Sequence, residues 1–206
     1  MRELLRSTRS ELLPLDVYWP EFEENFRRTD ASGFWKLERR QEFREPGQDS
    51  WEEFSRGNWR EALELLERGR AALIAEHRKM TASGFSARRV RVVEEPITAY
   101  LQWELHALRV RDECGGPVRV LAADRVARLE RAELLPELYT LGGEVMYEAV
   151  YDEHGVLEAA RRYTDRAVIA RCRQVIVDLY AAAQPIAAYF ARHVAGLPAP
   201  EGQFTP

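Results

Sequence analysis

A chain of 206 residues, 46% hydrophobic and 31% charged, has ordinary globular composition, and its length suits one domain or one domain with an appendage. A chain of this size buries roughly 70% of its unfolded surface and needs no disulfide or metal to fold, and no apolar run approaches the ~20 residues of a membrane span. The net charge of −4 provides no global field that would favour nucleic acid.

Residues 1–10 carry Arg2, Arg6 and Arg9 without an apolar stretch behind them, unlike a secretory signal. Cys114 and Cys172 are the two cysteines and read as reduced thiols of a cytoplasmic protein. Lys36 and Lys79 are the only lysines among 30 Lys+Arg, a bias that GC-rich coding produces.

After Pro14, residues 16–28 place Val17, Trp19, Phe22 and Phe26 at helical spacing. Residues 30–33 break that pattern, and the aromatic-rich stretch 33–43 reads as a strand. Asp49 with Glu52, then Asn58 with Glu61, have the spacing of helix N-caps and their third-position partners. They predict a short helix over 50–56, a break at Gly57 and a long helix over 59–82, stopped by Gly84. Val90, Val92 and Val93 mark a strand over 88–94, and Pro96 opens a helix over 97–112. A short strand at 118–121 and a helix at 123–132 follow. Three strands, 138–141, 145–151 and 156–163, are separated by the turn-forming stretches 142–143 and 152–155. Asp165 caps a closing amphipathic helix that Pro185 should kink or break before about His193.

This order predicts an α/β (α+β) fold: a mixed sheet of about six strands flanked by helices, with an N-terminal helical and aromatic arm and a long C-terminal helix. The first strands are separated by helices and can be parallel, whereas the last three form antiparallel hairpins. Residues 1–57 are expected as the arm with its helix and first strand, 58–195 as the main domain and 196–206 as a flexible tail.

No phosphate-binding loop follows Gly115-Gly116 or Gly142-Gly143. The cysteines lie far apart and no histidine pair has i, i+4 spacing, so no metal site, cofactor or catalytic residue is assigned. Apolar stripes account for a sheet wrapped in helices and leave no assembled reactive centre. The densest polar stretch supplies the ligand-binding candidates Arg89, Arg91, Tyr100, Glu104 and His106. Arg89 and Arg91 share a strand face, near the end where open α/β sheets place ligands. The competing reading pairs both arginines with Glu94, Glu95 or other carboxylates on a solvated face. Trp35, Arg39, Trp51 and Trp59, from the aromatic and arginine-rich first 60 residues, are candidate partner-binding residues. A small aromatic core is the competing explanation.

Gly33-Phe34-Trp35-Lys36-Leu37-Glu38-Arg39-Arg40-Gln41, then Phe43 and Glu45-Pro46, resembles the opening of an uncharacterised actinobacterial family, a domain of unknown function. The stretches 89–96 and 100–105 carry the same resemblance, which spans residues 16–189. Many members have a Gly-Glu pair where this chain has Gly115-Gly116. Members are often encoded near helix-turn-helix regulators, which implies a non-enzymatic regulatory or protein-interaction domain acting with such a DNA-binding protein partner. The net charge of −4 argues against direct nucleic-acid binding, and a homodimer through the last helix is compatible with the pattern. More distantly, the element order resembles the phospholipase D-like fold. His77 and Lys79 match the spacing of its hydrolases only within a helix, so the resemblance implies a non-catalytic version that handles a small anionic ligand or phosphate.

Overall fold

A computed structural model describes residues 1–200; the distal part of the expected tail, 201–206, lies outside the described residues. In chain order the elements are α1 (Arg2–Arg6), β1 (Glu11–Pro14), α2 (Leu15–Arg27), β2 (Phe34–Glu38), α3 (Asp49–Ser55), α4 (Trp59–Arg68) and α5 (Arg70–Ala82). There follow β3 (Ala87–Val93), α6 (Ala99–Glu113), β4 (Val118–Ala122), β5 (Leu138–Leu141), β6 (Val145–Tyr151), β7 (Leu157–Tyr163), α7 (Arg166–Ala182), β8 (Gln184–Pro185) and α8 (Ile186–His193).

The strands form one mixed sheet in the order β1-β7-β6-β5-β2-β3-β4-β8. Strands β2, β3 and β4 are parallel neighbours, joined by helical crossovers, and all other pairings are antiparallel. The class matches the sequence reading, with eight strands instead of about six. The two additions are β1 and β8, of four and two residues, too short to leave a periodic signal. Residues 1–57 thus contribute both an edge strand and the central strand β2.

Other boundaries differ for local reasons. The first long strand ends at Glu38 because the backbone amides of Arg39 and Arg40 both donate to Glu137 Oε1, at 2.6 Å each, in place of a ladder. The helix expected over 59–82 divides at Gly69, which ends α4 and precedes α5. The helix expected over 123–132 is a 3-10 turn, Ala123–Val126. Pro185 does separate α7 from α8, as a residue without an amide hydrogen should. Asp165 caps α7, its Oδ1 accepting from the Ala167 and Val168 amides at 2.9 and 3.2 Å. Gly142, at φ +61°, permits the tight β5–β6 turn.

The two faces of the sheet are packed differently. On one, Leu37, Val90, Val92, Leu138 and Met146 meet Ile169, Cys172 and Ile176 of α7 in a continuous apolar core. The other is covered by the remaining long helices. Its flanks are apolar: Tyr139, Leu141 and Tyr147 pack against Tyr18 of α2, while Val93, Val118 and Val120 pack against α6 and α8. Between those flanks the centre is charged. In the parallel register Lys36 lies beside Arg89 and Glu38 beside Arg91, so the alternation of each strand brings all four to the same face.

Candidate ligand-binding cleft

The four central side chains are tied together. Lys36 Nζ lies 2.7 Å from Glu38 Oε1, and Arg89 Nη1 donates to both Glu38 oxygens at 3.0 and 3.1 Å. Deeper in the protein, the wholly buried Arg91 donates from Nε to Glu104 Oε2 at 2.7 Å and from Nη1 to the Val92 carbonyl at 3.1 Å. Tyr100 Oη donates to Glu45 Oε1 at 2.5 Å. Burial opposes the charge on Glu38, but Arg89, Lys36 and Arg91 outweigh it and hold the carboxyl down at about 2.

The neighbouring acids are served less well. Burial pushes the Glu104 carboxyl up, and Arg91 does not cancel the effect because it also faces Glu38 and Glu137. Burial, together with Glu38, likewise raises Glu137 to about 7 against the pull of Arg91 and two backbone amides. Arg91 itself stays protonated, so the titration of this cluster belongs to its acids.

Above Lys36 and Arg89 the helices leave the sheet open. A cavity of about 580 Å³ lies between α2, α5 and α6, and another of about 820 Å³ extends toward α3 and α4. Trp19, Lys36, Arg89, Arg111 and Tyr151 line both. Arg111 projects from α6, half-buried, and burial together with the nearby Arg89 pushes it down to about 10. His77 of α5 is buried and its Nε2 has no hydrogen-bond partner. Burial, Arg111 and Arg89 favour its neutral form. Its ring packs so closely on Gly116 that a Cβ there would lie 2.4 Å from His77 Cε1 and Nε2. The opposite wall is aromatic, with Phe22 and Tyr139 inside and Trp19 at the rim, 47% exposed.

Of the ligand-binding candidates, Arg89, Arg91, Tyr100 and Glu104 gather in or beneath this cleft. Arg89 lines both cavities, Tyr100 and Glu104 the larger one. His106 stands apart, edge-on to Trp59 and Phe190 at centroid distances of 5.3 and 4.7 Å. The arginines do not pair with Glu94 or Glu95: Glu94 binds Arg39 at 2.7 Å and Glu95 lies 3.3 Å from His193. The polar groups gather into this charged cluster, and no group of acids, histidines and cysteines with metal-binding geometry occurs among the described residues. Lys36, Glu38, His77 and Arg111 escaped the sequence reading. Lys36 and Glu38 flank Leu37 just as Arg89 and Arg91 flank Val90, and this shared alternation was the available signal.

The partner-binding candidates are dispersed. Trp35 packs on the α7 side, beneath Arg88 and against Tyr180. Arg39 is buried and paired with Glu130 at 2.6 Å. Trp51 belongs to an aromatic core with Phe54 and Trp103, and Trp59 is half-buried beside it.

Fold and cleft together define a mixed-sheet α/β domain with a charged hollow over its central strands. The chain belongs to the family described as "Domain of unknown function (DUF6879)", whose model matches residues 20–191. No curated protein matches it. Among solved structures it is similar to that of TrmBL2, an archaeal chromatin protein reported to show a novel mode of DNA binding. The TM-score is 0.40 at 10% identity, covering 89% of this chain and 60% of that one. The partner reading is corrected by that finding. The sequence assigned DNA contact to a separate helix-turn-helix protein, allowed a homodimer and set direct nucleic-acid binding aside, whereas the similar structure is that of a protein which itself binds DNA. No helix among the described residues is long and apolar enough to cross a membrane.

Proposed function

We propose that the chain is a non-enzymatic regulatory domain that binds a small organic anion in the cleft over β2 and β3. The observation that carries this reading is the convergence of Lys36, Arg89 and Arg111 on one concave site beside Trp19 and Tyr139. Ligand sites commonly combine a largely apolar wall with a few convergent polar groups. Groups that could serve covalent chemistry are otherwise engaged or enclosed: Cys114 is buried and His106 is held between aromatic rings. The reading retains the handling of a small anion that the phospholipase D-like resemblance implies, and free Cys114 and Cys172 suit a cytoplasmic setting.

The test is thermal denaturation of the full chain with a panel of small carboxylates and phosphates. A ligand that binds only the folded state raises the melting temperature. At least one organic anion should do so for the wild type and less for Lys36→Met. If no anion in the panel shifts the transition at millimolar concentration, the reading fails.

A further inference from the structure

The cleft has two chemically unlike ends. At one end Arg111, His77 and Arg89 stand around the same hollow, with Lys36 on the floor. Arg89 and Lys36 are engaged by Glu38. The Arg111 side chain, half-buried, is engaged by no carboxylate among the described residues, and the buried His77 Nε2 has no hydrogen-bond partner. A buried polar group without a partner is costly; His77 Nε2 is such a group, and the half-buried Arg111 guanidinium beside it has no carboxylate of its own, so an acceptor near both would serve them. Gly116 completes the end, since its missing side chain is what allows the His77 ring to lie there. At the other end the walls are the rings of Phe22, Tyr139 and Trp19.

We infer that the cleft takes a nucleoside monophosphate, its phosphate between Arg111, His77 and Arg89 and its base against Trp19 and Tyr139. This rests on the anion-binding reading above and narrows it. A planar carboxylate is satisfied by one guanidinium fork, whereas a phosphate monoester presents three terminal oxygens to donors that arrive from several directions. Here the donors come from two neighbouring helices, α5 and α6, and from the strands below. Arg27, Lys36, Arg88, Arg89 and Arg111 line the cavity with Glu23 and Glu76; Glu23 pairs with Arg27 and Glu38 holds Lys36 and Arg89, which leaves Arg88 and Arg111 without a carboxylate among the described residues, a surplus that matches the charge of one phosphate monoester. Aromatic faces accept any base by stacking. The cavity of about 580 Å³ also falls within the ~300–1,000 Å³ usual for a small organic ligand.

The test is calorimetric titration of the full chain with adenosine, guanosine, cytidine and uridine 5′-monophosphates, beside inorganic phosphate, adenosine and benzoate. At least one monophosphate should bind about tenfold more tightly than both inorganic phosphate and adenosine. Arg111→Met should weaken it by at least about tenfold, the loss of a charge-assisted hydrogen bond, and Arg111→Lys by less. The melting temperature of the free variants should stay at or above that of the wild type, because Arg111 has no partner to leave behind. Binding of benzoate without any monophosphate overturns the inference and leaves the broader anion reading intact. Binding of none of the seven also overturns it, and the wider panel then decides the broader reading separately. A monophosphate that binds equally well to Arg111→Met overturns the placement of its phosphate.

Discussion

The two faces of the sheet are written by the same strands and do opposite things. Leu37, Val90 and Val92 turn toward α7 and are wholly buried among apolar side chains. Their immediate neighbours Lys36, Glu38, Arg89 and Arg91 turn the other way and meet charge and open space. A one-residue alternation therefore separates a face whose role is burial from one whose groups are held ready for a ligand. The flanks of the second face are as apolar as the first, so the charged centre is a local exception to the packing.

Disrupting the deepest part of that exception should have the largest effect. Arg91→Met strands Glu104 in the interior, and removing one partner of a buried pair costs about 3–5 kcal/mol, measurable by urea denaturation. Replacing Arg91 and Glu104 together with Met and Leu should recover most of that loss. Next comes the apolar face: Leu37→Ala, at a site with no exposure, should cost about 3–4 kcal/mol through lost burial and a cavity. If Leu37→Ala were nearly neutral, the contrast between the faces would collapse.

A third measurement concerns pH. Glu137 has its folded pKa raised from 4.5 to about 7. Below 4.5 the acid is protonated in both folded and unfolded chains, and its contribution is fully present. Between 4.5 and about 7 only the unfolded chain is ionised, so stability falls as pH rises, by up to about 3 kcal/mol, and levels off above that. Glu137→Gln cannot titrate and keeps an oxygen for the Arg39 and Arg40 amides. Its stability should therefore decline less than the wild type's over that interval, and equal slopes would contradict the assignment. The smallest effect is expected at the floor of the cleft. Lys36 retains partial exposure and Glu38 keeps Arg89, so Lys36→Met should change stability by less than about 1 kcal/mol while altering anion binding.

Much of the fold was legible because long amphipathic stripes and hairpin turns leave strong periodic signals. The parallel run β2, β3, β4 followed from the helices between them, and the last hairpins from their glycine-bearing turns. Short elements were invisible: β1 and β8 exist because neighbouring strands offer them an edge, which no local pattern encodes. The site was half legible. Arg89, Arg91, Tyr100 and Glu104 were found as a dense polar stretch, but their arrangement depends on Lys36 and Glu38, about 50 positions earlier, entering the register beside them. His106 shares helix α6 with Glu104 yet faces elsewhere, because two residues along a helix turn a side chain by more than half a circle. Arg111, seven residues beyond Glu104, returns to the cleft side.

Both margins of the sheet carry a proline in a very short strand: Pro14 closes β1 and Pro185 makes up half of β8. A residue without an amide hydrogen cannot extend a ladder outward, and short, proline-bearing borders discourage a further strand from another molecule. The sheet is thereby finished at each side, and a concentrated solution of this protein should resist the strand-by-strand accretion to which open sheets are prone.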